Sequence, residues 1–455
     1  MRGFSRKILL AFALISLGCR AERPREIVYQ KPYLSRQETV CVLGGTSNEN
    51  GFSVLATSDG GSIVTGYTAS FGYGAKDILI ARLDSLNNPV WVKVIGGPED
   101  DVAHSLARAD GNGFMVVGWT YSTPDKDADI LLVNIDQSGK VIWMKSLGAE
   151  GSEVARCVVP FGDGFLLVGM STPPGSSALS ESEGLLVRIG PSGEPLWAKK
   201  VSGGFAYEMK SVAQVPGNRF AVVGIAGNYA SADIDLFVGV YDSLGNSIWS
   251  KVLGDVGAKQ WDQGLSVIGT ESGGLISAGF TKGFSADTQD VFLCGFDSSG
   301  NLLWARIYGG DDADYCFSIT PTNYGFALAG YTFSFGLRRC NMLLSGFDSL
   351  GNHLWTRTIG WAGGDWCYGM TRTSEGEFVL VGRTWSFGSG GYDLAVYRVN
   401  PDDTLNLMIR CRNPLIREVS PELLAEKPEA VPIVLNPKKA SLKTADLTPV
   451  IRKTE

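Results

Sequence analysis

The chain has 455 residues, of which 58 are glycine, 44% are hydrophobic and 10% are aromatic. That composition excludes a disordered polypeptide and points to many short strands joined by tight turns. The formal charge is −7; the first 18 residues carry three basic groups and residues 412–455 a net +2, so residues 19–411 stand at −12. A body that acidic repels phosphate backbones, which argues against nucleic acid as a partner.

At the N-terminus, Arg2, Arg6 and Lys7 precede an apolar run from Ile8 to Leu17. This is the layout of an export signal over residues 1–18, and it is too short for a membrane span. The run ends in Ser-Leu-Gly-Cys and resembles a bacterial lipoprotein signal. That resemblance implies that Cys19 becomes the lipidated first residue; cleavage after Ala21 is the alternative. The expectation is an extracytoplasmic protein, lipid-anchored at a bacterial cell envelope or secreted, whose residues 19–36 form a linker.

From there the chain repeats. "FDSLGNHLWTRTIGW" from Phe347 has counterparts starting at Leu83, Ile135, Tyr241 and Phe296. Trp91, Trp143, Trp197, Trp249, Trp304 and Trp355 are spaced by 52, 54, 52, 55 and 51 residues. One step back from Trp91 reaches Thr39, and one step on from Trp355 reaches Leu407, so the frame holds seven units. Each unit reads as four strands: an alternating one with the tryptophan, one of small residues, one like "FMVVGWT" and one like "DILLVNID". Such a period is too long for one rung of a solenoid and fits one four-stranded propeller blade. The expected fold is an all-β, seven-bladed β-propeller over residues 37–411, with the strand around Val40 to Leu43 completing or extending the last blade. The Asp-Ser-x-Gly-Asn turns join the third strand of a blade to its fourth, and each periodic tryptophan docks neighbouring blades. The hairpin and tryptophan resemble the blade motif of pyrroloquinoline-quinone-type propellers, including the non-enzymatic lipoprotein propeller of the outer-membrane assembly machinery. With "GYTASFGYGAKD" and "GYTFSFGLRRCN" included, the repeat is more similar to secreted bacterial β-propeller repeat proteins of unassigned role. The resemblance spans Val40 to about Cys411 and implies a fold; one fold hosts many chemistries.

Two sets of loops, from fourth to first strand and from second to third, share one face, termed the top. At the entrance to the innermost strand, a pattern of acid, any, small, any, small gives Glu49, Asp101, Glu153, Asp262, Asp314 and Asp365, with Tyr207 in blade 4. Six carboxylates around a channel mouth can attract a cation, but capping the loop amides of their own blades is the favoured reading. Where third strands begin, Asp77, Asp129, Asp235, Asp290 and Asp393 recur. In blade 2 the run Asp125, Asp127, Asp129 has the oxygen chemistry of a calcium site, with loop solvation as the alternative. Five tryptophans fall outside the period, on or beside the top loops: Trp119, Trp261, Trp361, Trp366 and Trp385. Trp261, Trp361 and Trp366, beside Asp262 and Asp365, are the candidate ligand-binding patch, because an aromatic plate next to a carboxylate can hold a sugar or a partner's anchor residue. The periodic Phe71, Phe335 and Phe387 read instead as lids on the blades.

No HExxH, GxSxG, phosphate-binding glycine loop or CxxC is present, and His104 and His353 occupy unrelated repeat positions. The expectation is therefore a non-catalytic propeller that binds a protein or glycan through its top face, with no cofactor beyond the calcium of the DxDxD run. The alternatives are an extracytoplasmic enzyme, either a quinone-type dehydrogenase or a polysaccharide lyase, and a purely structural envelope component. The enzyme requires a deep pocket of converging basic and acidic groups. Cys41 and Cys411 lie on the two chain ends that meet at ring closure, where a disulfide would clasp them. Residues 412–455, with six prolines and no repeat, read as a flexible tail.

Overall fold

The computed structural model describes residues 39–400, except 125, 177–180, 204, 229–232, 255–260, 284–287, 337–338 and 389, together with strands at 26–30, 415–418, 422–424, 429–433, 436–438 and 443–451. Blade 1 consists of Glu49–Ala56, Ser62–Thr68, Asp77–Leu83 and Pro89–Gly96, each antiparallel to the next. Blades 2 to 6 repeat this plan from innermost strands Asp101–Arg108, Ser152–Phe161, Ala206–Val215, Asp262–Gly269 and Asp314–Thr322. Blade 7 takes three strands from Asp365–Arg372, Phe378–Thr384 and Asp393–Val399, and its fourth from the N-terminal Thr39–Gly44. Every innermost strand touches that of the next blade, and Asp365–Arg372 touches Glu49–Ala56, so seven blades close a ring. The expected seven-bladed propeller, closed by the strand containing Val40 to Leu43, is the fold observed.

Packing explains why the middle strands are apolar on both faces. All seven residues of Asp77–Leu83 and of Asp129–Ile135 are buried, because a blade inside the ring has a neighbour on each side. Ile63, Ile78 and Ile80 of blade 1 share one cluster with Ala103, Leu106, Phe114 and Val116 of blade 2. Burying each large aliphatic side chain there stabilises the junction by about 1.5–3 kcal/mol, so a charge introduced at Ile80 would break it.

All six periodic tryptophans lie on fourth strands. Five of them stack on the hairpin glycine of the following blade: Trp91 on Gly139, Trp143 on Gly193, Trp197 on Gly245, Trp249 on Gly300 and Trp304 on Gly351. These glycines have φ between +73° and +82°, and a Cβ added to Gly193 would lie 2.4 Å from the Trp143 ring. The turn therefore needs glycine twice, for its left-handed backbone and for the indole lying against it. At the seam between blades 7 and 1 this pairing is absent. Thr39 holds the tryptophan register, opposite Arg398, and Asn87 holds the glycine position, sending its Nδ2 to the carbonyls of Thr39 (3.1 Å) and Val396 (3.3 Å).

The Pro-rich segment read as a flexible tail contains five short strands that the sequence reading did not include. Leu415–Glu418, Glu422–Leu424, Glu429–Ile433, Asn436–Lys438 and Lys443–Ile451 pair antiparallel with the fourth strands of blades 5, 4, 3, 2 and 1 in that order. Backbone pairing of this kind covers strand edges and asks little of side-chain pattern, so no repeat signal marks it. Cys41 is buried on the closing strand. Cys411 and Cys19 lie outside the described residues, as do the export signal and the disulfide expected at the clasp.

Candidate functional site

The innermost strands share a defect that builds the site. In each, the register against the second strand slips at one position, a β-bulge after Gly51, Ala103, Ala155, Met209, Gly264, Cys316 and Cys367. A bulge leaves one residue outside the ladder and re-aims it. The seven bulged residues, Phe52, His104, Arg156, Lys210, Leu265, Phe317 and Tyr368, all line a central cavity of about 360 Å³. The residues that follow, among them Ser53, Ser105, Ser211, Ser266 and Ser318, line it too. Four of their hydroxyls, on Ser53, Ser105, Ser211 and Ser266, accept backbone N–H bonds from the next blade.

Blades 2 to 4 give the cavity a charged wall. Glu208 Oε1 accepts from Arg156 Nε and from Lys210 Nζ, both at 2.7 Å. Arg156 Nη1 lies 2.7 Å from His104 Nε2, which also accepts from Trp119 Nε1 at 3.2 Å. Two donors on Nε2 place the imidazole proton on Nδ1. Burial, reinforced by the Arg156 and Lys210 charges, holds His104 well below the usual histidine range, so the ring is neutral. Burial raises the Glu208 carboxyl, but the two cations prevail and it lies below its ordinary value. Burial also pulls the Lys210 ammonium down, against the attraction of Glu208. Two cations against one carboxylate leave this wall with one net positive charge inside an acidic protein.

The opposite wall is aromatic. Phe317 meets Tyr368 edge-on at 5.2 Å and stacks on Tyr331 at 5.5 Å, and Phe52 lies 5.9 Å from Tyr368. From Tyr368 the aromatic track continues over blade 7. The Arg383 guanidinium sits 4.3 Å from the Tyr392 ring, 4.7 Å from Trp366 and 5.7 Å from Tyr368. Trp385, more than half exposed, adjoins Tyr392 at 5.3 Å. Phe333, also exposed, extends the track over blade 6 by its contact with Tyr331 at 6.0 Å.

The carboxylates read from sequence serve their own blades. Asp365 is fully buried and accepts from Trp361 N (2.9 Å), Thr384 Oγ1 (2.6 Å), Ser386 Oγ (2.8 Å) and Tyr397 Oη (3.1 Å). Asp262 is equally buried and accepts from Thr281 Oγ1. Glu49 accepts from Gly45 N (2.9 Å) and Thr68 Oγ1 (2.8 Å) in the same pattern. The indoles do not form one patch. Trp261 is exposed on blade 5, whereas Trp361 and Trp366 belong to blade 7, with blade 6 between. Trp361 lies over the blade 7 core, stacked on Tyr397 and edge-on to Phe387 at 4.7 Å, while Trp366 belongs to the aromatic track. Phe71 and Phe335 are buried lids, as expected. Asp129 is buried and Asp127 half-buried; Asp125 lies outside the described residues, among which no three His, Cys, Asp or Glu side chains gather as a metal-binding group.

The channel residues carry no sequence signature of their own, because they occupy the second "any" position of the acid, any, small, any, small motif. In ENGFS, DVAHS, EVARC, YEMKS, DQGLS, DYCFS and DWCYG, the fourth residue is the bulge. Its variability beside fixed neighbours was the available signal.

No sequence-family model and no curated protein matches the chain. Solved structures similar to it include a protein of unknown function from Bacteroides caccae (TM-score 0.38, 12% identity, covering 65% of this chain and 93% of that one). Another is Sqt1 from Chaetomium thermophilum (0.43, 13%, 76% and 83%), and a third is the polysaccharide lyase Uly1 (0.45, 9%, 82% and 94%). At similarity this low, the fold assignment rests on the strand pairing of this chain.

Proposed function

We propose that the protein is an exported, non-catalytic binding propeller, surface-attached through Cys19, that takes a glycan or protein partner on the aromatic track of blades 6 and 7. The observation that carries this reading is the continuity of Trp385, Tyr392, Arg383, Trp366, Tyr368 and Phe317, which runs from an exposed indole into the channel. Aromatic plates with an interleaved arginine bury area at little conformational cost, the composition typical of interface hot spots. The enzyme alternative asks for converging acidic and basic groups, and His104, Arg156, Lys210 and Glu208 do converge. The basic nitrogen of His104, however, already accepts two N–H groups, which favours binding over proton transfer.

A glycan array and a pull-down from envelope extract, each with the intact chain, test the reading. Trp366→Ala should weaken capture by about 2 kcal/mol with an unchanged melting temperature. Equal capture by the variant would remove the track from the binding surface. Release of unsaturated sugar products by the wild type would replace binding with lyase chemistry.

A further inference from the structure

The cavity joins two surfaces that one small molecule can satisfy together. On one side, Arg156 and Lys210 have donors beyond those used: the guanidinium carries five N–H groups and the ammonium three, while the contacts within the described residues are those to Glu208 and His104. Both side chains are about a fifth to a quarter exposed, and both line the cavity. On the other side, Phe52, Phe317 and Tyr368 present ring surface to the same space.

We infer that the channel is a binding site for a small ring-bearing monocarboxylate, its carboxylate on Arg156 and Lys210 and its ring against Phe52, Phe317 and Tyr368. Charge selects the anion. Glu208 neutralises one of the two cations, so the wall attracts a single negative charge, and the −12 of residues 19–411 opposes a dense polyanion. Volume selects the size: about 360 Å³ lies at the small end of ligand pockets and suits one ring or two. Partial burial strengthens the ionic contact by lowering the local dielectric, and charge-assisted bonds from Arg and Lys are about twice as strong as neutral ones. Both an aromatic acid and the uronate unit of an acidic glycan carry this chemistry. The inference rests on the binding reading above for its ring wall and is independent of it for its charged wall.

Four probes separate the contributions: phenylacetate, glucuronate, glucose and acetate, each titrated into the full chain by ligand-observed NMR and calorimetry. Phenylacetate or glucuronate should bind at least about tenfold more tightly than glucose, which lacks the charge, and than acetate, which lacks the ring. Whichever of the two binds identifies the source. Arg156→Met should abolish that preference, whereas Glu208→Gln, which adds a net positive charge while keeping the shape, should tighten carboxylate binding several-fold. Trp366→Ala should leave these small probes unaffected while reducing capture of the larger partner, so failure of the track and failure of the channel give different results. Equal binding of glucose and glucuronate, no binding of either ring acid at millimolar concentration, or unchanged affinity in Glu208→Gln would overturn the inference.

Discussion

Blades 2 to 4 and blades 5 to 1 are built from one repeat, with the same bulge at the same register, yet they give the channel a charged wall and an aromatic one. His104, Arg156 and Lys210 stand where Leu265, Phe317, Tyr368 and Phe52 stand across the ring. Apart from Met209 in blade 4, the residues on either side of the bulge are small or serine, held by packing and by bonds to the next blade. The bulged residue lies outside the strand ladder and faces the cavity, where its contacts are with side chains of its own and neighbouring blades. Where structure stops constraining a position, the side chain is open to ligand chemistry, and here it diverges by half-ring.

Stability should separate the two walls most strongly. Glu208→Ala leaves two cations in a largely buried cluster and should cost about 3 to 5 kcal/mol in chemical denaturation, because the uncompensated charges lose their partner. Replacing Arg156, Lys210 and Glu208 together by methionine should be far less costly than that single change. If the triple variant is the less stable of the two, the wall is a structural ion-pair network rather than a tolerated polar site. Phe317→Ala, on the aromatic wall and half-buried beside the cavity, should cost only about 1 kcal/mol.

The pH response gives a smaller and opposite-signed contrast. His104 lies below its ordinary 6.5 because of burial and its cationic neighbours. The unfolded chain therefore takes up the proton first, and stability is lost as pH falls below 6.5. Asp314 in blade 6 is pushed by burial from 3.8 to about 6. The folded state keeps a proton that the unfolded chain has released, so this contribution is fully present below 3.8 and is lost as pH rises through 6. Thermal melts across that range should show His104→Gln losing part of its acid sensitivity and Asp314→Asn losing the opposing trend. Identical pH profiles for the two variants would refute the assignment.

The fold was legible because it is written seven times. Six tryptophans and the turns before them state a period, and a period near 52 with four strands leaves few architectures. Thr39, at the seam, falls on the same period even though it is no tryptophan. The site was legible only in part. Trp366 stood out because it broke the period, but Trp361, which broke it too, covers the core beside Tyr397. Asp262 and Asp365 drew notice by recurring, and recurrence is what a carboxylate that closes a loop in each blade produces. The channel residues recur in position but not in kind, and only the register slip gives the position meaning. The strands of residues 415–451 left no trace because a strand added at an edge is held by its backbone.

The strand Thr39–Gly44 is among the first segments of the propeller to be synthesised, and its partner Asp393–Val399 is the last strand of the last blade. Six blades can stack in order as they appear, each new hairpin glycine arriving under the indole already waiting for it. The first blade keeps a bare flank through all of that time. Folding of this protein is thus a matter of timing: the earliest segment, paired locally only with Glu26–Gln30, must wait for its blade 7 partner until almost the whole polypeptide exists, and a chain cut short before residue 393 would be left as an arc with two open ends.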